Sequence, residues 1–209
     1  YPMRVDSARG SEPPGCLQPH ESLLLMPSHE SPSPWVQRWS HLIPARSTML
    51  DVACGSGRHT RWFAARGCAV TAVDRDVAAL QGLLPVARTL AADLEGEPWP
   101  LPGERFGAVV VTNYLWRALL PDIARSVADA GVLIYETFAA DHASVGKPSN
   151  PDFLLRPGEL LAFAAAHGLR VVAFEDGFAS PPDRYIQRLV AVRESAAAAV
   201  PPRHPLHDQ

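Results

Sequence analysis

The sequence predicts an α/β protein with a doubly wound, seven-stranded, mostly parallel sheet whose last strand is antiparallel. Two observations support this prediction. Near-continuous apolar runs of strand length, of which Phe106–Thr112 is the clearest, alternate with helical patterns, as expected for parallel strands buried on both faces. In addition, the apolar run at residues 49–53 leads through Cys54-Gly55-Ser56-Gly57 into a predicted helix, which gives the strand, glycine-rich turn and helix of a nucleotide-binding unit.

The other elements follow from the same patterns. A helix is predicted at residues 35–42, and its Trp35 is expected either to pack on a ligand or to anchor the core. Pro121 is expected to break the helix predicted at 115–128 or to start a second piece of it. The imperfect alternation of residues 184–192 indicates a strand at the sheet edge. The strands after the first are predicted at residues 68–73, 88–92, 106–112, 132–138, 170–174 and 184–192, and the further helices at 59–66, 76–84 and 157–167.

Composition limits the class of protein. The 209 residues, 47% apolar and 20% charged, suffice for one α/β domain, predicted at residues 35–194 between tails at 1–34 and 195–209. A net charge of −3 argues against a nucleic-acid partner, which usually requires a basic face. No apolar run approaches the roughly 18 residues of a membrane span. The three cysteines show neither disulfide nor metal-ligand spacing, so a cytoplasmic protein without a metal is expected.

The spacing around the glycine turn separates the nucleotide ligands. A dinucleotide fingerprint has a third glycine where this sequence has Thr60. Asp51 precedes the turn, and Asp74 follows Gly55 by about 20 residues, the spacing of a carboxylate that accepts both hydroxyls of a ribose. An NAD enzyme, or a glycine-rich turn without a ligand, remains as the alternative.

This pattern, D-V-A-C-G-S-G followed by A-V-D, resembles the class I S-adenosylmethionine-dependent methyltransferases over about residues 35–194. The resemblance implies that the glycine turn lies against the methionine and ribose of S-adenosylmethionine, while Asp74 holds the ribose. It also implies that Asp93 accepts from the adenine amino group and that Leu94 packs on the ring. The product is then S-adenosylhomocysteine, and no metal is needed. The cofactor-binding residues implied in this way are Asp51, Ala53, Cys54, Gly55, Gly57, Arg58, Asp74, Arg75, Asp93, Leu94 and Asn113.

Two short segments are similar to the tellurite-resistance-type methyltransferases, namely the Gly-x-Gly-Arg-His turn and the E-T-F end of the fifth strand. That subgroup acts on soft anions or small metabolites, so the resemblance implies a small-molecule acceptor that is methylated by in-line displacement at the sulfonium methyl. The alternatives are an RNA or protein methyltransferase that works with a partner, and a protein that binds S-adenosylmethionine without transferase activity. The sequence does not predict the oligomeric state.

Three residues are candidates for catalysis. Tyr114 follows the fourth strand and is expected to form a wall for the acceptor or part of the core. Glu136, an acid at the carboxyl end of a buried strand, is a candidate general base. His142 is a candidate in the irregular segment 139–156, which is predicted to form part of a substrate lid. The sequence after the fourth strand, N-Y-L-W, lacks the prolines of the D/N-P-P-Y/F tetrad, which disfavours DNA and protein-amide N-methyltransferases.

Further positions carry weaker expectations. Arg117 is expected either to be solvated or to hold an acidic acceptor. Arg58 and His59 open the predicted helix and are expected to face the cofactor carboxylate or solvent, and Arg46 is a further candidate to reach the same carboxylate. Residues 1–18 are predicted to be an irregular tail, and the apolar residues 23–26 to dock over the cofactor or to contribute to the core.

Overall fold

Seven strands form one sheet at the centre of the structure, a computed structural model that describes residues 31–195, 197, 200 and 202–206. The predicted tail at 1–18 and the apolar patch at 23–26 lie outside the described residues. The strands in chain order are β1 (Thr48–Val52), β2 (Ala69–Asp74), β3 (Arg88–Ala91), β4 (Phe106–Thr112), β5 (Val127–Phe138), β6 (Arg170–Ala179) and β7 (Arg184–Val192). Their order across the sheet is β3-β2-β1-β4-β5-β7-β6, and β7 alone is antiparallel to the others. The predicted fold class is confirmed.

Five α-helices flank the sheet in the described part of the chain. They are α1 (Pro34–Trp39), α2 (Arg58–Ala65), α3 (Val77–Gln81), α4 (Leu120–Arg125) and α5 (Glu159–Ala166). Trp35 and Phe63, from α1 and α2, pack on one face of the sheet, and Ile123 and Phe163, from α4 and α5, pack on the other. Because helices cover both faces, the central strands are buried on both sides, which explains their continuous apolar runs.

Proline and capping residues set the helix boundaries. Pro121 occupies the first turn of α4, where its missing N–H costs nothing, and a short 3-10 helix at Arg117–Leu119 precedes it. The helix predicted at 115–128 is therefore divided, as the proline indicated. Asp76 caps α3 by accepting hydrogen bonds from the N–H groups of Ala78 and Ala79 at 2.9 and 3.1 Å.

The second half of the sheet differs from the prediction in two ways. β5 begins at Val127 and not at residue 132, because Ala130 and Gly131 form an irregularity within the strand. Ala130 has a φ of 58°, and the register to β4 shifts there. The prediction that residues 184–192 lie at a sheet edge is wrong, since β7 pairs with β5 on one side and β6 on the other. The imperfect alternation instead reflects polar residues of β7 that are buried by partners from other elements.

The irregular segment predicted at 139–156 contains local secondary structure. It contains 3-10 helices at Ala140–Ser144 and Pro151–Phe153, and a parallel bridge joins Ala139 to Leu155. The segment thus leaves β5 at its carboxyl end and returns to the same place before α5 begins.

Candidate functional site

The carboxyl ends of β1 to β4 meet at one edge of the sheet and surround a cavity of about 260 Å³. Ligands of open α/β sheets bind at this edge, where the strand order reverses next to the first strand. The lining residues are Ala53, Asp74, Arg75, Ala92, Asp93, Leu94, Glu95 and Tyr114. We call this the Asp74 cavity. Five of the predicted cofactor residues and the predicted catalytic Tyr114 therefore lie together.

The glycine turn is held against the tip of β2. The N–H of Gly55 donates to Oδ2 of Asp74 at 2.8 Å, and the N–H of Asp76 donates to Oδ1 at 2.9 Å. Each carboxylate oxygen has two acceptor positions, so each oxygen keeps one for a further donor. Gly55 has a φ of 54°, and a Cβ there would meet nothing within 4 Å, so the turn faces open space. Asp74 therefore keeps acceptor capacity on both oxygens at the open side of the turn.

The second glycine of the turn serves packing. Gly57 has a φ of 78°, and a Cβ at this position would collide with the side chain of Leu83 at the end of α3. Cys54 is buried in the same place, against Leu80 and Leu83, and burial raises the pKa of its thiol. The side chain of Cys54 thus belongs to the core, and only its backbone faces the turn.

Asp51 is buried beneath the turn, outside the lining of the Asp74 cavity. Thr60 Oγ1 donates to Asp51 Oδ2 at 2.6 Å, which explains why a threonine stands where a dinucleotide fingerprint has glycine. Burial raises the pKa of Asp51 to about 6, although the bond from Thr60 opposes the shift. A cationic ligand group above it would favour the charged carboxylate.

Tyr114 carries a polar atom that lacks a partner. Its hydroxyl is buried and makes no hydrogen bond to any described residue. Burial, followed by the nearby Glu95 and Asp93 carboxylates, raises the pKa of the phenol, so the hydroxyl keeps its proton and remains a donor. A buried donor without a partner is costly unless a ligand satisfies it. Tyr114 shares its cavity with Asp74 and Asp93, so its hydroxyl and their carboxylates lie together.

Two strand ends around the site have unusual backbone conformations. Ala53 after β1 has a φ of 51°, and Asn113 after β4 has a φ of 54°. Such values are uncommon for residues with a Cβ and often occur at functional sites. The N–H of Asn113 donates to the backbone oxygen of Glu136 at 2.9 Å, and its side chain is exposed outside the lining of the cavity.

A group of buried polar residues lies on the other face of the sheet, at the carboxyl ends of β4 and β5. Ser33 Oγ donates to Glu136 Oε1 at 2.9 Å, and the N–H of Ser33 donates to His59 Nε2 at 3.1 Å. His59 Nδ1 must then carry the proton, and it points to Thr112 Oγ1 at 3.5 Å. Glu136 Oε2 pairs with Arg188 at 3.5 Å. We call these five residues the Ser33 cluster.

The Ser33 cluster gives three predicted residues new surroundings. His59 is buried and not solvated, and burial lowers its pKa to about 3, so the imidazole is neutral. Glu136 is 1% exposed, and both of its carboxylate oxygens have partners. Ser33 was assigned to the tail, but it caps α1 by accepting from the N–H of Trp35 at 3.1 Å. The sequence signal for this cap is a serine followed by proline at the helix start.

His142 is buried in the segment after β5 and stacks on Phe138 with ring centroids 4.3 Å apart. Its Nε2 lies 3.1 Å from the backbone oxygen of Lys147. A carbonyl only accepts, so Nε2 carries the proton and Nδ1 holds a lone pair. That Nδ1 is buried and has no partner among the described residues. The imidazole is thus oriented by one nitrogen and unoccupied at the other, which is the arrangement of a general base.

Three arginines lie in places that the sequence did not reveal. Arg117 is neither solvated nor unpaired, because it donates two hydrogen bonds to the Glu159 carboxylate at 2.7 and 2.9 Å. It also donates to the backbone oxygens of Asp152 and Leu154. It therefore closes the segment after β5. Arg46 precedes β1 and lies at the opposite edge of the sheet from the site. Arg58 is half-buried at the start of α2, outside the lining of the Asp74 cavity.

Trp35 is a core residue and not part of the Asp74 cavity. It is 2% exposed, and the guanidinium of Arg188 lies 5.0 Å from the centre of its ring. The described residues contain no group of three or more His, Cys, Asp or Glu side chains that could hold a metal ion. Within the same ranges, no helix has both the length and the apolar character that a membrane crossing requires.

Comparisons with known proteins agree with this geometry. Residues 49–131 match a family model described as methyltransferase domain, and this segment contains every residue that lines the Asp74 cavity. An S-adenosylmethionine-dependent methyltransferase from Mesorhizobium loti superposes with a TM-score of 0.60 at 15% identity, covering 74% of this chain and 95% of that one. TehB from Haemophilus influenzae gives 0.59 at 17%, covering 75% and 60%. A methyltransferase from Aquifex aeolicus, also S-adenosylmethionine-dependent, gives 0.59 at 17%, covering 85% and 100%. Curated protein sequences gave no match.

Proposed function

We propose that this chain, a class I S-adenosylmethionine-dependent methyltransferase by fold and domain, transfers the sulfonium methyl by in-line displacement to a small-molecule acceptor. The observation that carries the proposal is the Asp74 cavity, where acidic groups with spare acceptor positions and an unpartnered tyrosine hydroxyl meet at the carboxyl ends of four strands. The net charge of −3 supports a small acceptor over a nucleic acid.

The residues of the cavity fit the cofactor that the family uses. We propose that Asp74 accepts from the two ribose hydroxyls, and that Asp93 and Leu94 hold the adenine amino group and ring. The Tyr114 hydroxyl would donate to the nucleoside, which replaces the earlier expectation that Tyr114 forms the acceptor wall. Asp51 would face the cationic amino group of the methionine part, with Ala53, Cys54, Gly55, Gly57, Arg58, Arg75 and Asn113 completing the surface around it.

S-Adenosylmethionine, when bound, supplies a methyl group on a sulfonium, which is electrophilic without help from a metal. The protein has to hold the acceptor in line behind the methyl carbon and to exclude water. We propose that His142 Nδ1 takes the acceptor proton as the acceptor lone pair forms its bond to carbon and the carbon–sulfur bond breaks. The orientation of His142 by the Lys147 carbonyl and its buried, unoccupied Nδ1 support this role.

Glu136 was the other candidate base. Its two oxygens already accept from Ser33 and Arg188, so we propose that it holds the Ser33 segment in place and takes no proton from the acceptor.

The experiment that tests the proposal uses methyl-labelled S-adenosylmethionine and three separate acceptor pools, namely small metabolites, RNA and protein. The proposal expects label in the small-molecule pool and calorimetric binding of S-adenosylhomocysteine. Label in RNA or protein would move the acceptor to another class. Binding without transfer to any pool would indicate a protein that binds the cofactor without transferase activity, and binding of NAD alone would reject the reading of the cavity.

A further inference from the structure

Five arginines in the described part of the chain are half-buried, and they differ in whether a partner balances their charge. Arg117 pairs with Glu159, Arg188 pairs with Glu175 and Glu136, and Arg193 donates to three backbone oxygens. Arg58 and Arg184 have no hydrogen bond or ion pair to any described side chain. Removing a guanidinium from water without a partner is costly, so these two positions need an explanation.

Arg184 lies at the ligand edge of the sheet because of the direction of β7. β7 is antiparallel to β5, and Ile186 pairs with Phe138, the last residue of β5. Arg184 precedes this pair, so it lies beyond the carboxyl end of β5. Alternation along a strand puts Arg184 on the same face as Arg188, which is the face of the Ser33 cluster. The Nε of Arg184 is buried and unpartnered.

Arg58 shares this environment from the other side. It begins α2 directly after the glycine turn. Burial lowers the pKa of Arg58. The charges of Glu136 and Asp51 oppose this shift, whereas the charge of Arg184 adds to it, so the two guanidiniums experience each other's charge. The carboxylates nearby are occupied, since Glu136 accepts from Ser33 and Arg188 and Asp51 accepts from Thr60. Within the described residues, neither Arg58 nor Arg184 therefore forms a direct ion pair with these carboxylates.

We infer that the acceptor carries an anionic group, a carboxylate or an oxyanion, and that Arg184 binds it. The inference rests on the proposed methyl transfer and names the class of acceptor. A planar guanidinium with several donors matches a carboxylate or an oxyanion through paired hydrogen bonds. The amino-acid carboxylate of the cofactor is the other anion at this edge. Arg58 follows the glycine turn and is the residue expected to face it, whereas Arg184 comes from a strand three positions away across the sheet.

The test compares small acceptors that differ only in charge. Three pairs cover three nucleophiles: 3-mercaptopropionate with 3-mercaptopropionamide, 4-hydroxybenzoate with 4-hydroxybenzamide, and β-alanine with β-alaninamide. Methyl transfer from labelled cofactor is measured for each member, and binding of each member to the protein loaded with S-adenosylhomocysteine is measured by calorimetry. We expect the anionic member of at least one pair to be preferred by about 10-fold or more, as for a charge-assisted hydrogen bond.

Variants identify the residue responsible. Arg184→Gln should abolish the preference and leave the affinity for S-adenosylhomocysteine unchanged, whereas Arg184→Lys should keep part of the preference. Arg105→Gln is the matched control, because Arg105 is exposed and only approaches Asp129 at 3.7 Å. Urea unfolding of each variant separates a loss of recognition from a loss of folding.

Three outcomes would overturn the inference. The first is equal transfer to, and equal binding of, both members of every pair. The second is a preference that survives in Arg184→Gln. The third is a fall in the affinity of Arg184→Gln for S-adenosylhomocysteine. The last result would assign Arg184 to the cofactor carboxylate. Failure of the proposed function would look different, because label would then enter RNA or protein, or no pool at all, whatever the charge of the small probes.

Discussion

The two halves of the sheet's carboxyl edge use their polar groups differently. Around the Asp74 cavity, at β1 to β4, the carboxylate of Asp74 keeps spare acceptor positions and the hydroxyl of Tyr114 has no partner. In the Ser33 cluster, at β4, β5 and β7, Ser33, His59 and Glu136 are satisfied by one another and by Arg188. Burial alone therefore does not distinguish a binding residue from a structural one. We expect spare hydrogen-bonding capacity to distinguish them, and the following variants test this expectation.

His142 provides the strictest check of this comparison. It follows β5, one of the strands of the Ser33 cluster, but its Nδ1 has no hydrogen-bond partner among the described residues. His142→Gln keeps a donor for the Lys147 carbonyl and removes the base, so the transfer rate should fall by about 10²- to 10⁴-fold. Labelled-methyl kinetics measure the rate, and added imidazole should restore part of it. His167→Gln is the matched control at the end of α5. An unchanged rate in His142→Gln would show that a spare nitrogen at this edge does not mark chemistry.

The buried His59 of the Ser33 cluster should make the stability of the folded protein depend on pH. Its pKa is about 3 in the folded chain against 6.5 for a free imidazole, so the unfolded state binds the proton first as the pH falls. The stability from neutral His59 is complete above pH 6.5 and is lost towards pH 3, on the order of 4 kcal/mol in total. In His59→Gln, urea unfolding should show a flatter loss of stability over this range. A wild-type slope in the variant would contradict the assignment.

Asp51, at the end of β1, changes the stability with pH in the opposite direction to His59. Its pKa of about 6 exceeds the ordinary value of 3.8, so the folded state holds the proton longer and this contribution to stability is lost as the pH rises from about 4 to 6. Asp51→Asn keeps an acceptor for Thr60 and removes the titration. Stability of this variant should rise more steeply from pH 4 to 6 than that of the wild type, because His59 then acts unopposed, by roughly 3 kcal/mol over the window.

Variants of Glu136 test whether this carboxylate has a structural or a catalytic role. Glu136→Ala leaves the Ser33 hydroxyl and part of Arg188 without a partner in a buried place, so the free energy of unfolding should fall by about 2 to 4 kcal/mol. Glu136→Gln should keep most of the transfer rate. Glu175→Ala removes the exposed partner of the same arginine and should cost about 1 kcal/mol or less. A large rate loss in a stable Glu136→Gln protein would restore Glu136 as the base.

Asp74 should affect ligand affinity and also stability, because it accepts from the N–H groups of Gly55 and Asp76, so urea unfolding is measured beside the affinity. Asp74→Ala removes the two spare acceptor positions, and the affinity for S-adenosylhomocysteine in calorimetry should fall about 100-fold, as expected for two hydrogen bonds to a charged group. Asp129→Ala is the control, since Asp129 is exposed at the other edge of the sheet. Unchanged affinity in Asp74→Ala would contradict the proposal that the Asp74 cavity binds S-adenosylmethionine.

The sequence predicted the residues around the Asp74 cavity better than those of the Ser33 cluster, for a physical reason. Asp51, Gly55 and Asp74 are recognisable because a strand, a turn and a second strand fix their spacing within about 25 residues of chain. Ser33 lies far along the chain from its partners, 26 residues from His59 and 103 residues from Glu136. Arg117 was misjudged in the same way, because its partner Glu159 is 42 residues distant. Local spacing predicts backbone turns, but it does not predict which distant carboxylate neutralises a given arginine.

The reversed direction of β7 has an evolutionary consequence. In a sheet of parallel strands only, every strand would start at the far edge, and only segments that leave a strand could reach the ligand edge. Here the connection between β6 and β7 also opens at that edge, and its residues Pro181, Pro182 and Asp183 are exposed. Insertions and substitutions in this hairpin can therefore alter the carboxyl edge of the sheet during evolution while leaving its hydrophobic layers in place.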